Sequence, residues 1–392
     1  MEKEASMTLE EANASGAKIR PKFLYDISGA HTATVNVVRF SPNGMYLASG
    51  GDDSAIVLWA QKSRPVEFGS TIEKVVWCNY KVLRGHLSDI YDIAWSPDSK
   101  YIISGSVDNS ATIFSVDKGK GIQKIADHSH FVQGVSWDPR NKYVTTQSSD
   151  KSVRVYKNAD MKQETKFFFS NAIKRYSDGR GKSSEEAEMK KKEISHQNYF
   201  ADELQCPSFV RRHCWSPEGS ILLLVAGTAK GELYEVDYVV WGFTRKDLTK
   251  PAFMLPTMDK AATVVRFCPI LFEKDLKEAG NPDLVDLPYK MVFAVGTLDT
   301  LYIYDTQDTI PKYAITNIHY QPITDLAWKG SSILAASSSD GYITFCVFEK
   351  EELGRPADLN SIPEKSRHGY EAYINCDHRK NVLTHNGKYI LT

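Results

Sequence analysis

The amino-acid sequence predicts an all-β fold, a propeller in which small antiparallel sheets stack around a common axis. Three observations carry this. A motif recurs without gaps at fixed offsets. Inside each copy apolar residues alternate or run in fours, which is strand grammar. Ser-Pro, Asn-Gly or Asp-Gly turns bound the copies.

The first copy runs from His31 through "VNVVRFSPNGMYLASGGDDSAIVLW" to Trp59. The second runs from His86 through "IYDIAWSPDSKYIISGSVDNSATIF" to Phe114, and the third from His128 through "VQGVSWDPRNKYVTTQSSDKSVRVY" to Tyr156. In each, 22 residues separate the His from an Asp (Asp53, Asp108, Asp150) and 28 separate it from the terminal aromatic. Worn copies follow at Phe209–Gly227, at Ala262–Pro269 with Met291–Asp305, and at His319–Phe348, where Asp340 takes the turn. A small sheet cannot bury both faces alone, so such units stack into a ring.

The repeated polar residues then have structural work. Asp108 accepts a bond from the His86 imidazole, and Ser104 links that ring toward the aromatic strand. The sets His31/Asp53/Ser49/Trp59 and His128/Asp150/Thr146/Tyr156 repeat the arrangement. A catalytic dyad would not recur once per blade at one spacing, so the His–Asp pairs read as staples. The three histidines stand on separate blades, too far apart to share a metal. None of the six cysteines forms a CxxC pair, which argues against a zinc ribbon. No Gly-rich phosphate loop is present, and neither an enzyme activity nor a cofactor is expected.

Composition agrees with a large globular ring. Of the residues 42% are hydrophobic and 25% charged, enough apolar chain to bury a core. The net charge of −1 supplies no global field toward nucleic acid, so specific DNA binding is not expected. No run of eighteen apolar residues suggests a membrane span, and no secretory signal is visible in the polar first twenty residues.

Three regions fall out. Residues 1–22 read as a charged tail, with a short helix begun at Thr8. Residues 23–356 form the propeller, interrupted by a mobile insert at about 157–205 in which Ser183–Ile194 starts a helix with a capping box, Ser183 with Glu186. Residues 357–392 form a polar tail with strand-like ends, "YEAYINC" and "NVLTHNGKYILT".

At the His, Asp and terminal aromatic the sequence resembles the WD-repeat family, from about Phe23 to Phe348. The Trp-Asp dipeptide itself is worn to Trp59-Ala60, Phe114-Ser115, Tyr156-Lys157 and Tyr304-Asp305. Phrases outside the repeat minimum are more specific. "PSFVRRHCWSPEGSILLL", "FTRKDLTKPAFMLP", "VVRFCPILFE", "LPYKMVFAVGTLDTLYIYDT" and "SSSDGYITFCVFEKEELGRP" are similar to the middle, WD-repeat subunits of chromatin assembly factor 1. That resemblance implies a nuclear scaffold in a three-subunit, replication-coupled complex that deposits core histones onto new DNA. Its partners would be the large and small subunits, and core histones directly or through them. Rings of this family usually close with seven blades, and six repeats are visible. The expectation is therefore seven blades with an atypical closure in which the C-terminal strands fill the gap. The family's first repeat is not evident before Phe23. No basic-then-apolar motif for the anti-silencing histone chaperone stands out in Ala357–Thr392. The competing readings are a WD-repeat substrate receptor in a ubiquitin ligase and a nuclear co-repressor scaffold. No F-box-like helical module precedes the repeats, which disfavours the first of these.

Candidate binding residues come from the mouth of the ring. Three and five residues after each repeat His the chain enters the inner strand, which selects Thr34, Asn36, Asp89, Tyr91, Phe131 and Gln133. Tyr91 and Phe131 among polar neighbours have interface composition; local packing is the alternative. Arg211 and Arg212 follow the insert and either pair with acidic partner segments or solvate a blade edge. Lys190–Lys192 either touches DNA phosphate or solvates a helix end.

Overall fold

The computed structural model describes residues 26–65, 73–159, 165–177, 196–230, 236–258, 260–275, 283–358, 362–364, 367 and 370. Among these, six antiparallel sheets form six blades. Blade 1 consists of β1 (Val35–Phe40), β2 (Tyr46–Gly51), β3 (Ala55–Pro65) and β4 (Glu73–Arg84). Blade 2 holds β5 (Ile90–Trp95), β6 (Tyr101–Ser106), β7 (Ala111–Ser115) and β8 (Lys120–Ile125). Blade 3 holds β9 (Val132–Trp137), β10 (Tyr143–Ser148), β11 (Ser152–Asn158) and β12 (Phe167–Ile173). A short ribbon, β13 (Arg175–Ser177) with β14 (His196–Asn198), precedes blade 4. That blade holds β15 (Cys214–Trp215), β16 (Ile221–Lys230), β17 (Val236–Thr244) and β18 (Phe253–Pro256). Blade 5 holds β19 (Val264–Phe272), β20 (Lys290–Gly296), β21 (Thr300–Asp305) and β22 (Tyr313–Thr316), and blade 6 holds β23 (Ile323–Lys329), β24 (Ile333–Ser338) and β25 (Ile343–Val347).

The core lies between sheets. Val37, Ala48, Ile56 and Leu58 of blade 1 pack on Ile90, Ile93 and Ile102 of blade 2 in one buried cluster. Glycine permits this approach at one recurring place. A Cβ on Gly50 would lie 3.0 Å from Ile90, and one on Gly105 would lie 2.8 Å from Val132. The turn after each staple Asp needs a left-handed residue: Ser54, Asn109 and Lys151 have φ of 56°, 63° and 61°, while blade 6 places Gly341 there at 85°. Glycine takes that conformation without the steric cost the others bear.

Two expectations are corrected. The ring has six blades among the described residues, not seven. The chain after blade 6 does not add strands to it there. Pro356 bridges Phe272, Ala357 donates its amide to the Leu271 carbonyl at 2.8 Å, and Ile362 and Tyr370 are buried with the apolar residues of blades 4 and 5. The Tyr370 hydroxyl accepts the Leu271 amide at 3.0 Å. This tail therefore caps the end of β19 in blade 5, where it buries two large side chains. The stretch "NVLTHNGKYILT" lies outside the described residues, as do the helix expected at Thr8, the helix at Ser183–Ile194 and Lys190–Lys192. The insert at 157–205 is also narrower than expected, because β12 is the outer strand of blade 3 and Tyr199, Phe200, Ala201 and Cys206 are buried.

Candidate interaction surface at the ring mouth

The staples form a chain of bonds in blade 1. Trp59 Nε1 donates to Ser49 Oγ at 2.8 Å, Ser49 Oγ meets His31 Nε2 at 2.7 Å, and His31 Nδ1 meets the Asp53 carboxylate at 3.0 Å. Blade 2 repeats it through His86, Ser104 (2.7 Å) and Asp108 (3.0 Å), but Phe114 offers no donor and the chain stops at Ser104. Blade 3 uses His128, Thr146 (2.7 Å) and Asp150 (3.0 Å), and Tyr156 donates its hydroxyl to Asp127. The sixth blade holds a pair the fixed offset missed, His319 with Asp340 at 3.1 Å and 21 residues apart.

Each staple Asp also accepts the amide of the residue that follows its His: Thr32, Leu87, Ser129 and Tyr320. Burial alone would raise the Asp108 and Asp150 carboxyls. Bonds from His86 and Ser110, and from His128 and Ser152, outweigh it and hold both well below the usual carboxylate range. Spending the amide on the staple turns the side chain outward. Leu87 is 86% exposed and Tyr320 92%.

The mouth gathers part of the expected set. Tyr91 is half-buried and its ring lies 5.9 Å from that of Phe209, which is 73% exposed. Burial, then Asp89 and Asp52, push the Tyr91 hydroxyl up, which places two carboxylates beside this pair. Phe131 leans on His130 with ring centroids 4.3 Å apart. Asp89 is half-buried on the same rim.

Four expected residues are not surface anchors. Asn36 Nδ2 is spent on Asp52 at 2.6 Å and on the Ile90 carbonyl at 3.1 Å, tying blade 1 to blade 2. Gln133 is buried and donates to the Ser208 carbonyl. Arg211 is fully buried, with Nη1 on the Ala201 carbonyl. Arg212 is also buried and runs into the axis of the ring. A buried guanidinium cannot reach a partner, so both arginines belong to the scaffold. Phe209 and Leu87 take their place among exposed apolar groups. A large apolar residue directly after a repeat His was the signal for Leu87; the signal for Phe209 was its place at the head of the worn fourth copy, where Phe209–Trp215 runs parallel to Phe131–Trp137.

The axis holds an ion network. Asp325 binds Arg39 and Arg212 (2.5 Å) through one oxygen and Arg266 (3.2 Å) through the other. Arg212 also donates to the carbonyls of Asn36 (2.8 Å) and Tyr91 (3.1 Å), and Arg39 reaches Asp92. Residues of all six inner strands, among them Arg39, Trp95, Trp137, Trp215, Phe267 and Trp328, line an axial cavity of about 410 Å³. Among the described residues no group of three metal-ligating side chains occurs, and no helix is long and apolar enough to cross a membrane.

Residues 8–353 match the family model described as the CAF1B/HIR1 beta-propeller domain. The chain belongs to the CAF1B/HIR1 propeller family. A rice relative, the chromatin assembly factor 1 subunit FAS2 homolog, is 38% identical over 354 residues, covering 90% of this chain and 66% of that protein. The B subunit of mouse chromatin assembly factor 1 is 40% identical over 343 residues, 83% of this chain and 57% of its own. The HIR1 protein of Yarrowia lipolytica is 28% identical over 371 residues, 88% of this chain and 32% of its own. The chain thus spans between 57% and 66% of the length of the rice, chicken and mouse relatives. Membership in the CAF1B/HIR1 family accounts for the phrases that a generic propeller has no reason to carry.

Proposed function

We propose that the chain is a non-enzymatic docking subunit of a nuclear chromatin-assembly complex, binding protein partners at the ring mouth. The observation that carries this reading is the contrast within the mouth of a CAF1B/HIR1 propeller. The His and Asp residues are consumed as staples, while Leu87, Tyr91, Phe131 and Phe209 stand on the rim with no catalytic group among them. Aromatic anchors in a polar rim are what a protein interface uses. Asp52 and Asp89 beside Tyr91 repel phosphate and favour a basic protein segment over DNA. The partners on this reading are the large and small subunits of the complex and core histones, held directly or through those subunits.

The test is retention of the large subunit and of core histones on immobilised chain. The double variant Tyr91→Ala/Phe131→Ala and the single variant Phe209→Ala are each run beside a thermal melt. Loss of a true anchor weakens binding by about 2 kcal/mol, roughly thirtyfold, with the melt unchanged. Full binding by well-folded variants removes the mouth as the docking site. Failure of the unaltered chain to retain any of these partners removes the functional reading.

A further inference from the structure

The axial cavity has one lining position common to every inner strand, the residue before its aromatic: Arg39, Ala94, Ser136, Cys214, Arg266 and Ala327. Four of these are small and two are arginines. The small side chains leave the space open, and Ala327 is exposed although it stands inside β23. Prolines of the turns that follow the inner strands, Pro42, Pro97 and Pro139, line the same cavity. It therefore lies at the end of the axis away from the mouth, where the chain enters these strands.

The charges around it do not cancel. Arg39, Arg212 and Arg266 share two carboxylates, Asp92 and Asp325. Burial pushes the neighbouring His213 down to about 4, so its ring is uncharged at neutral pH and adds nothing. Among the described residues the cluster keeps one positive charge in surplus. A charge held out of water is costly unless an anion pairs with it. Arg212 is buried, whereas the side chains of Arg39 and Arg266 are 21% and 19% exposed and line the cavity, so the surplus is met there. Both reach the Asp325 carboxylate, one on each oxygen. Ala327 follows two residues later on the same face of β23, which sets it beside the same two guanidinium groups. Its methyl group leaves room for a second carboxylate.

We propose that the axial cavity is a binding site for a carboxylate carried on an apolar body, with the carboxylate between Arg39 and Arg266 over Ala327 and the body against the aromatic wall. An acidic residue in an apolar protein segment supplies such a group, and so does a free aromatic acid. Guanidinium groups hold a carboxylate through charge-assisted bonds, which gain strength where the walls exclude water. One surplus charge matches a monoanion; a doubly charged phosphate would overshoot it. The site lies at the opposite end of the axis from the mouth and stands whether or not the mouth is a docking surface.

The first measurement needs no ligand. In the full chain, Ala327→Glu places a carboxylate at the site, and Ala327→Gln adds the same bulk without charge. The glutamate variant should melt about 2 °C or more above the glutamine variant at neutral pH. A glutamate variant that melts at or below the glutamine variant overturns the proposal. The second measurement is calorimetric titration of the unaltered chain with 4-phenylbutyrate and with its neutral amide. The peptide acetyl-Leu-Phe-Glu-Leu-amide is titrated beside its counterpart with Gln for Glu. Each acid should bind about tenfold or more tighter than its neutral counterpart, and Ala327→Glu should lose both acids to a similar degree. Tighter binding of the peptide assigns the site to a protein segment, and tighter binding of phenylbutyrate assigns it to a free acid. Equal binding of charged and neutral probes, no binding of either acid, or full binding by Ala327→Glu overturns the proposal.

Discussion

Replacing Asp108 with alanine isolates what one staple contributes. The carboxylate accepts from His86 Nδ1 at 3.0 Å, from the Leu87 amide at 3.1 Å, and from the Ser110 amide and hydroxyl at 3.1 and 2.5 Å. Leu87 is exposed, so water replaces that bond at little cost. His86 and Ser110 are buried, and an orphaned buried donor costs about 1–3 kcal/mol. Taking the imidazole near the middle of that range and the Ser110 groups near its lower end gives a loss of about 3 kcal/mol. For a domain of this size each kcal/mol moves the midpoint by about 1–2 °C, so Asp108→Ala should melt about 3–5 °C below the unaltered chain by scanning calorimetry. Asp108→Asn keeps one acceptor oxygen and should recover about half of the loss. A midpoint for Asp108→Ala within 1 °C of the unaltered chain would refute the stapling argument, as would equal effects of the alanine and asparagine variants.

Other outcomes follow from the same geometry. Burial pushes His213 down to about 4, below its unfolded value of about 6.5. The stability from keeping it neutral is therefore complete above about pH 6.5 and lost as pH falls toward 4, by about 3 kcal/mol; urea titrations across that window should show the slope, and His213→Gln should flatten it. The depressed Asp108 and Asp150 carboxyls contribute stability present above about pH 4 and lost below it, so an acid melt should steepen there, and less so in Asp108→Asn. Ser54→Gly relieves a left-handed residue and should stabilise by about 0.5–1 kcal/mol; a lower denaturation midpoint contradicts it. Arg212→Ala leaves Asp325 and Asp92 with one cation fewer and two carbonyls unbonded, and should cost about 3–5 kcal/mol in chemical denaturation.

The staples were legible because their chemistry is written at short, fixed spacing: a His, an Asp and a hydroxyl inside one hairpin pair. His319 and the turn residue Asp340 stood in the sixth copy without being assigned as a staple, because 21 residues separate them rather than 22. β12 was hidden because its sequence, "FFFSNAI", stands within a charge-rich stretch that reads as insert. Arg211 and Arg212 were misplaced for a different reason. An arginine on a solvated edge and one neutralised by carboxylates in a channel look alike in sequence, and Asp325 lies 113 residues from Arg212. Of the mouth, Tyr91 and Phe131 followed from their offset after the repeat His. Phe209 holds in the worn fourth copy the place that Phe131 holds in the third, and the structure adds its packing on Tyr91.

The axial arginine has a kinetic consequence. Most bonds in this molecule join neighbours along the chain, since every blade is a run of hairpins and can zip up early at low entropic cost. Arg212 instead reaches residues 176, 121 and 113 positions away. Contacts of that span close large loops and form after the local hairpins they join. The guanidinium therefore acts as a late latch, converting a string of independently zipped sheets into a body that opens all at once. Weakening such a latch leaves the folding rate nearly untouched and hastens unfolding, so the lifetime of the assembled ring is governed by a side chain that no partner touches.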